Sequence, residues 1–527
     1  MRTAFAATFL MAAAPWSGAW QAGIDYSLRN APLVRSASHP DSLTSLDSSK
    51  SSGTYPSSGV AVREGGFSAL WKDPSDATGH TFWSVTERGP VASWGSSGLG
   101  FPLPDYHQKL VRLRVQGDSL ALISLDSIQW ASGRWTTGLP TSLRAMEDTA
   151  FAMLPGGTAI NTASKLAPDS GGYDLEGLSG NGDGTLWLSD EYGPSLLHLD
   201  IATRSVLKRY APGSGLPLVF SHRRGNRGFE AVAVTPSGRV VAMLQSPMTN
   251  PDKLKKDSTR LVRILELDPG SGSTRQFAYL VDLKGGTRAA GDVRIPELVA
   301  VDDTTFLVLE AGETSGGVDR IDLQRFVISS RSTDISLAGT DDSAGETFAV
   351  GGKTRTLEQI TGTNDTSALA GLGIVPVAKT TLVGDLLTST PWTHPKPEGM
   401  ALVDDSTVAL INDNDYGANA KNDDGMLHRL SAERTRTRIQ YLRFRSGATA
   451  SIRSSHTVRS WQARATGSTL ELRTDAAAGP WRLLRPDGSL AARIPATKSA
   501  ATLRIPLPAG LTILSDADHA LTVTRLP

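Results

Sequence analysis

The chain contains no cysteine in 527 residues. Disulfides, thiolate nucleophiles, cysteine-ligated zinc and iron–sulfur clusters are therefore excluded. It lacks an excess of either charge, with 53 Lys and Arg against 53 Asp and Glu. Balanced charge gives no argument for a polyanionic partner, and no nucleic acid is expected. Stretches of helical period are scarce while Gly is frequent, at 52 residues, which favours an all-β architecture over α/β. The apolar run Ala4–Ala14 is too short to span a bilayer, and no later stretch approaches ~18 uninterrupted apolar residues, so no membrane span is expected.

Three catalytic signatures are missing as well. There is no G-x-S-x-G elbow, which argues against a serine esterase of the α/β-hydrolase type. The nine histidines include no H-E-x-x-H pair, which argues against zincin chemistry. The R-H-G-x-R-x-P pattern of histidine acid phosphatases is absent. His198 lies mid-strand in Leu196-Leu197-His198-Leu199 and reads as structural, while His394, in a loop before Glu398, stays an open candidate.

What is present begins with a leader-like N-terminus. Arg2, the apolar run and Pro15-Trp16-Ser17-Gly18-Ala19 read as a signal peptide spanning 1–19, which implies a secreted or periplasmic protein. Residues 20–59 form a Ser-rich segment, within which the tract Ser42–Ser58 reads as an exposed loop or linker. Organised pattern runs over 60–445, and the character changes again over 446–527, where short alternating strands such as Thr469–Arg473 and Leu521–Arg525 predict a small C-terminal β-sandwich with an accessory or sorting-like role.

The central region repeats one layout. Asp174-Leu175-Glu176-Gly177 opens a strand, Asn181-Gly182-Asp183-Gly184 turns it, and Leu186–Ser189 returns to Asp190 and Glu191. Related units start at Glu230, Glu297 and Glu398, the third returning to Glu310 and the fourth to Asn412 and Asp413. A weaker copy runs from Gly66 to Glu87 and Arg88. Several units continue into a third strand, as at Leu196–Asp200 and Leu261–Asp268. Repeated three- or four-stranded antiparallel units predict a β-propeller, for which we count six blades, with the repeated acids around the channel mouth. The polar insertions Met248–Thr259 and Arg331–Ala368 read as loops at one end, where substrate contacts often sit.

Carboxylates so close must be neutralised to stay ionised. Oxygen ligands around a channel suit Ca²⁺. The candidate metal ligands are Glu176, Asp190, Glu230, Glu297, Glu310, Glu398 and Asp413, with Glu191 a ligand or a general base and Gln245 and Asn412 as neutral donors. Arg88 and Arg227 are candidates for bidentate phosphate recognition, and Lys396 for a further positive charge. The competing reading is metal-free salt bridging of these acids to Arg88, Arg227 and Lys396. An EF-hand reading of Asp413–Asp424 fails, because Gly417 comes one place early and Asp424 stands where Glu is needed.

The blocks Phe82–Pro90, Asp174–Ser179, Leu186–His198, Asn226–Glu230, Met243–Pro247, Lys396–Met400 and Ile411–Gly417, in that order, resemble the phytase-like, "esterase-like activity of phytase" family over roughly residues 60–430. The resemblance implies an exported β-propeller with phosphatase, phytase or esterase-like activity, often calcium-dependent. Its substrate would be a small-molecule ester or phosphate. Two positions depart from the family pattern. Ala311 follows Glu310 where an acid–arginine pair is usual, and Glu87 precedes Arg88 where Asp is more usual. A metal-assisted ester hydrolase acting as a monomer leads the readings, beside a non-catalytic ligand- or partner-binding propeller and a lactonase-like hydrolase.

Overall fold

The computed structural model describes residues 62–443 apart from 95–97, 142–147, 153–163, 253, 284–289, 315, 338–339, 343–344, 363–366, 395, 405, 420–427 and 430–435. It also describes 25–28 and 31, and beyond 443 the backbone of the strands. The chain divides after Phe444, with Trp20–Phe444 forming one compact unit and the segment from Arg445 belonging to another.

Five four-stranded antiparallel blades follow one another in the larger unit. Blade one holds Trp71–Lys72, Thr81–Val85, Lys109–Gln116 and Ser119–Ser127. Blade two holds Leu175–Ser179, Thr185–Asp190, Ser195–Asp200 and Ser205–Pro212. Blade three holds Phe229–Val234, Val240–Leu244, Leu261–Leu267 and Thr274–Leu280. Blade four holds Leu298–Ala300, Thr305–Glu313, Asp319–Val327 and Ala378–Val383. Blade five holds Pro397–Asp404, Thr407–Asn412 and Arg438–Arg443 and takes its fourth strand, Asp25–Leu28, from the other end of the chain. That strand lies in the Ser-rich stretch, where composition gave no strand signal. It also pairs in parallel with the outer strand of blade one, through Ser27 and Leu28 against Ser119 and Leu120.

The inner strands of neighbouring blades touch in a closed circuit from one to five and back to one, which is a propeller arrangement. The sequence count of six blades is not met among the described residues. Among the described residues between blades one and two, the chain extends blade two and contributes to a small separate sheet. Gln129–Ala131 and Arg134–Trp135 extend blade two, and Thr149–Ala152 joins Gly98–Phe101 and Ala92–Trp94 in a small separate sheet.

The second strands of the blades are largely buried on both faces because each blade packs between two others. Along Thr305–Glu313, Phe306 and Val308 join the core shared with blade three, while Leu307 and Leu309 join the core shared with blade five. The two-residue strand period therefore feeds two cores, and the sequence reads as a continuous apolar run. The Glu-Gly pairs of the repeat follow from the same crowding. A Cβ on Gly177 would lie 2.6 Å from the Glu230 carbonyl oxygen, and one on Gly399 would lie 2.5 Å from the Ala69 carbonyl carbon. Only glycine lets these inner strands approach so closely.

The insertion after blade four's third strand does not stand at the channel mouth. Its Ile335, Phe348, Leu357 and Ile360 pack on Leu261 and Ala278, from the two outer strands of blade three. It is held by Arg263, a fully buried residue of blade three, which pairs with Glu358 at 2.7 Å and with Glu346. Asn250, from the other polar insertion, donates to Glu358 at 2.9 Å. Both insertions thus meet over the outside of one blade.

The C-terminal unit contains two four-stranded antiparallel sheets. One is made of Ser451–Ile452, Trp461–Thr466, Thr469–Thr474 and Ala501–Pro506, the other of Leu490–Ile494, Trp481–Leu484, Gly510–Ser515 and Ala520–Arg525.

Candidate active site and carboxylate rim

The strand ends of four blades bring buried acids into an arc. Three groups can be drawn in which one oxygen from each residue lies within 4.8 Å of the others: Glu87, Asp413 and Asp415; Glu87, Asp174 and Glu176; and Glu176, Glu191 and Glu230. Glu87 and Glu176 each belong to two groups, so the arc runs from blade five through blades one and two to blade three. Such clusters can in principle chelate a metal ion.

Two internal cations already serve part of the arc. Arg88 lies 2.7 Å from Asp174 and donates to Asn226 at 2.5 Å. Lys396 contacts Asp413 and reaches Asp415 at 2.7 Å and Glu398 at 3.9 Å. Burial lowers the Lys396 pKa, but Asp413, Asp415, Glu398 and Glu87 outweigh it and hold the ammonium well above its ordinary value. Asp413 is lifted by burial to about 7 although Lys396 opposes the rise. The salt-bridging reading is therefore right for Arg88 and Lys396, whose charges are directed at protein acids.

The third group is different. Among the described residues no basic side chain forms an ion pair with Glu176, Glu191 or Glu230, which are 6%, 1% and 2% exposed. Glu230 accepts from the Gln245 amide at 2.7 Å through one oxygen. Its other oxygen, one oxygen of Glu191 and the Gln245 amide oxygen are buried and have no hydrogen-bond partner. Burial, followed by the neighbouring carboxylates, raises the pKa of Glu176, Glu191 and Glu230 well above the ordinary carboxyl value. Buried, unpartnered oxygen donors are what a hard cation requires. The donor set fits the group.

Other candidates are placed elsewhere. Asp190 closes its own hairpin, accepting from the backbone N–H of Asp174 at 3.0 Å and of Tyr192 at 3.1 Å and from the Ser195 hydroxyl at 2.6 Å. Glu310 accepts from Tyr279 at 2.5 Å, Asp282 N–H at 2.8 Å and Lys379 at 2.6 Å. Neither joins a cluster, because one-residue alternation along the strand turns the side chain to the opposite face. Ala311 lines a small rim cavity with Glu230, Arg294, Pro296, Lys396, Pro397 and Glu398. Glu297 takes the N–H of Leu298 at 2.8 Å and faces the N–H groups of Met400 and Leu70, so it stitches blades four, five and one together. Asn412 donates to Arg436 and accepts from Arg438, an edge role. His198 stacks on Trp187 with centroids 4.7 Å apart, consistent with its structural reading. His394 supplies its carbonyl to the Trp392 indole N–H at 2.6 Å.

Sequence reasoning missed Asp174, Glu87, Asp415 and Arg294 as rim residues. Asp174 was legible, since it stands two places before Glu176 and so on the same strand face. Arg294 carries no such signal, because it lies in the connection between blades three and four and belongs to no repeat.

A family model described as phytase-like, "Esterase-like activity of phytase", matches residues 63–416. The chain belongs to this family. At family level it is a hydrolase of ester bonds. A search of curated proteins finds no match. Solved structures with a slight likeness include the catalytic domain of the Coprinopsis cinerea GH62 α-L-arabinofuranosidase, with 9% identity over 81% of this chain and 98% of the other and a TM-score of 0.33. Another is the PQQ-bound aldose sugar dehydrogenase of Streptomyces coelicolor, with 12% identity over 82% and 99% and a TM-score of 0.28. Likeness at these scores adds nothing to what the strand order shows. No helix among the described residues is long and apolar enough to cross a membrane.

Proposed function

We propose that this phytase-like chain hydrolyses a small-molecule ester, phosphoric or carboxylic, with a calcium ion held by Glu176, Glu191 and Glu230 and by the Gln245 amide oxygen. The observation that carries the reading is the set of buried, unpartnered oxygens on Glu191, Glu230 and Gln245, at the one acid group with which, among the described residues, no basic side chain forms an ion pair. Calcium is favoured because the donors are all hard oxygens, one of them a neutral amide. When bound, such an ion supplies Lewis-acid polarisation of a phosphoryl or acyl oxygen and acidifies water.

The protein's own groups supply position and proton transfer. The Gln245 amide fixes the Glu230 carboxylate. Arg88 and Asp174 lock the first strand of blade two to the end of blade one's second strand. Glu191, one of whose oxygens has no hydrogen-bond partner among the described residues, takes the role of general base. Arg227 acts on both Glu191 and Glu230 electrostatically and, among the described residues, forms no ion pair of its own. The same reading includes export through the N-terminal apolar run, a monomeric state, and a C-terminal sandwich with an accessory role.

Chromogenic phosphate and acyl esters, assayed on the chelated protein with and without Ca²⁺, test this function. Calcium-dependent hydrolysis is expected, lost in Glu230→Gln and Glu191→Gln. A folded protein inactive on every ester under both conditions would favour a ligand-binding propeller instead.

A further inference from the structure

Arginines near the rim are mostly committed. Arg88 serves Asp174 and Asn226, and Arg224 donates to the Gly291 carbonyl at 2.6 Å. Arg294 is not. It lines the rim cavity beside Glu230 and Glu398, is only partly buried, and among the described residues its guanidinium has neither an ion pair nor a hydrogen bond.

Its backbone, by contrast, is fixed. Arg294 and Ala311 exchange N–H to carbonyl bonds in both directions, each at 2.9 Å. One residue on, Ile295 donates its N–H to the Gln245 carbonyl at 2.8 Å, and Gln245 is the residue that orients Glu230. Val293 and Ile295 are buried on either side. A free guanidinium is thus carried on a rigid backbone next to the proposed cation ligands. Ala311 lines the same small cavity as Arg294.

We propose that Arg294 recognises the anionic group of the substrate, and that this group is the phosphoryl group of a phosphomonoester rather than a neutral carboxylic ester. The proposal rests on reading this rim as the ester-hydrolase site. A neutral acyl ester gives an uncommitted guanidinium nothing to pair with. A phosphate dianion can take two parallel N–H···O bonds from it.

The test is calorimetric titration of inorganic phosphate into the full chain with Ca²⁺ present, for the native protein, Arg294→Gln, Arg294→Lys and Ala311→Leu. Arg294→Gln and Ala311→Leu are expected to weaken phosphate binding at least tenfold, Arg294→Lys less, with calcium affinity changed less than twofold in each. Unchanged phosphate affinity in folded Arg294→Gln overturns the proposal. So does a native protein that hydrolyses carboxylic esters but binds no phosphate. Phosphate binding that depends on Arg294 in a protein hydrolysing no ester would uphold the subsite and overturn the hydrolase reading, so the two failures are distinguishable.

Discussion

Gln245 donates its side-chain N–H to Glu230 at 2.7 Å, and the other Glu230 carboxylate oxygen and the Gln245 amide oxygen are buried without a hydrogen-bond partner among the described residues. The amide therefore does two things: it fixes one carboxylate oxygen and carries a buried, unpartnered oxygen of its own. Replacing it with Leu removes both. Calcium affinity of Gln245→Leu, measured by calorimetry, is expected to fall about 10- to 100-fold, the range found when a group orienting a metal ligand is lost. An affinity within twofold of native would remove Gln245 from the site.

A second expectation concerns pH. Burial, with like charge adding to it, holds the folded-state pKa of Glu176, Glu191 and Glu230 above the unfolded value of 4.5. The folded chain therefore binds these protons more tightly than the unfolded chain. Their contribution to stability is fully present below 4.5 and is lost as pH rises through the raised values. The Tm of the chelated protein should fall between pH 5 and pH 8, and added calcium should raise Tm more at pH 8 than at pH 5. A chelated Tm that climbs across this window would contradict the protonated, cation-free state of the cluster.

Lys396 offers a way to separate internal neutralisation from substrate binding. Its ammonium is directed at Asp413 and Asp415. Lys396→Met should destabilise the fold by on the order of 2 kcal/mol, less than the ~3–5 of a fully buried pair, because the side chain retains some exposure. It should also vacate the group of Glu87, Asp413 and Asp415, so calcium stoichiometry should rise by one equivalent. Unchanged stability with a raised KM would return Lys396 to the substrate-binding role read from sequence.

Arg263 anchors the two polar insertions to blade three through Glu346 and Glu358, with Asn250 attached to the same acid. Arg263→Met leaves two buried carboxylates unpaired and is expected to cost ~3–5 kcal/mol. Limited proteolysis should then cut first within residues 331–374. A cut pattern identical to native would mean that the apolar contacts alone hold the insertion.

Much of this was legible in the sequence because the repeat is physical. Polar turns separate apolar runs, and acids recur at the strand starts. That placed Glu176, Glu230, Glu297 and Glu398 correctly at strand starts. Period-two alternation could not be phased from sequence at the far ends of the second strands, so Asp190 and Glu310 were assigned to the rim while they serve hairpin closure and the Tyr279–Lys379 pair. The described residues show five blades against the six counted, because Gln129–Ala131 and Arg134–Trp135 extend blade two and Thr149–Ala152 joins a small separate sheet. The strand Asp25–Leu28 was missed because it sits in a Ser-rich stretch and gains its pairing from strands distant in sequence, Arg438–Arg443 and Ser119–Ser127. Arg294 was invisible for the same reason: its neighbours Ala311 and Gln245 come from other strands and meet it only in the folded chain.

The most direct measurement is a calcium titration of the chelated full chain by calorimetry, run in parallel on the native protein and on Glu230→Gln. One bound equivalent with proton release at pH 7 is expected for the native protein, and a loss of at least tenfold in affinity for Glu230→Gln. No heat and no thermal stabilisation by calcium in the native protein, or full-affinity binding in Glu230→Gln, would contradict a cation held by Glu176, Glu191 and Glu230.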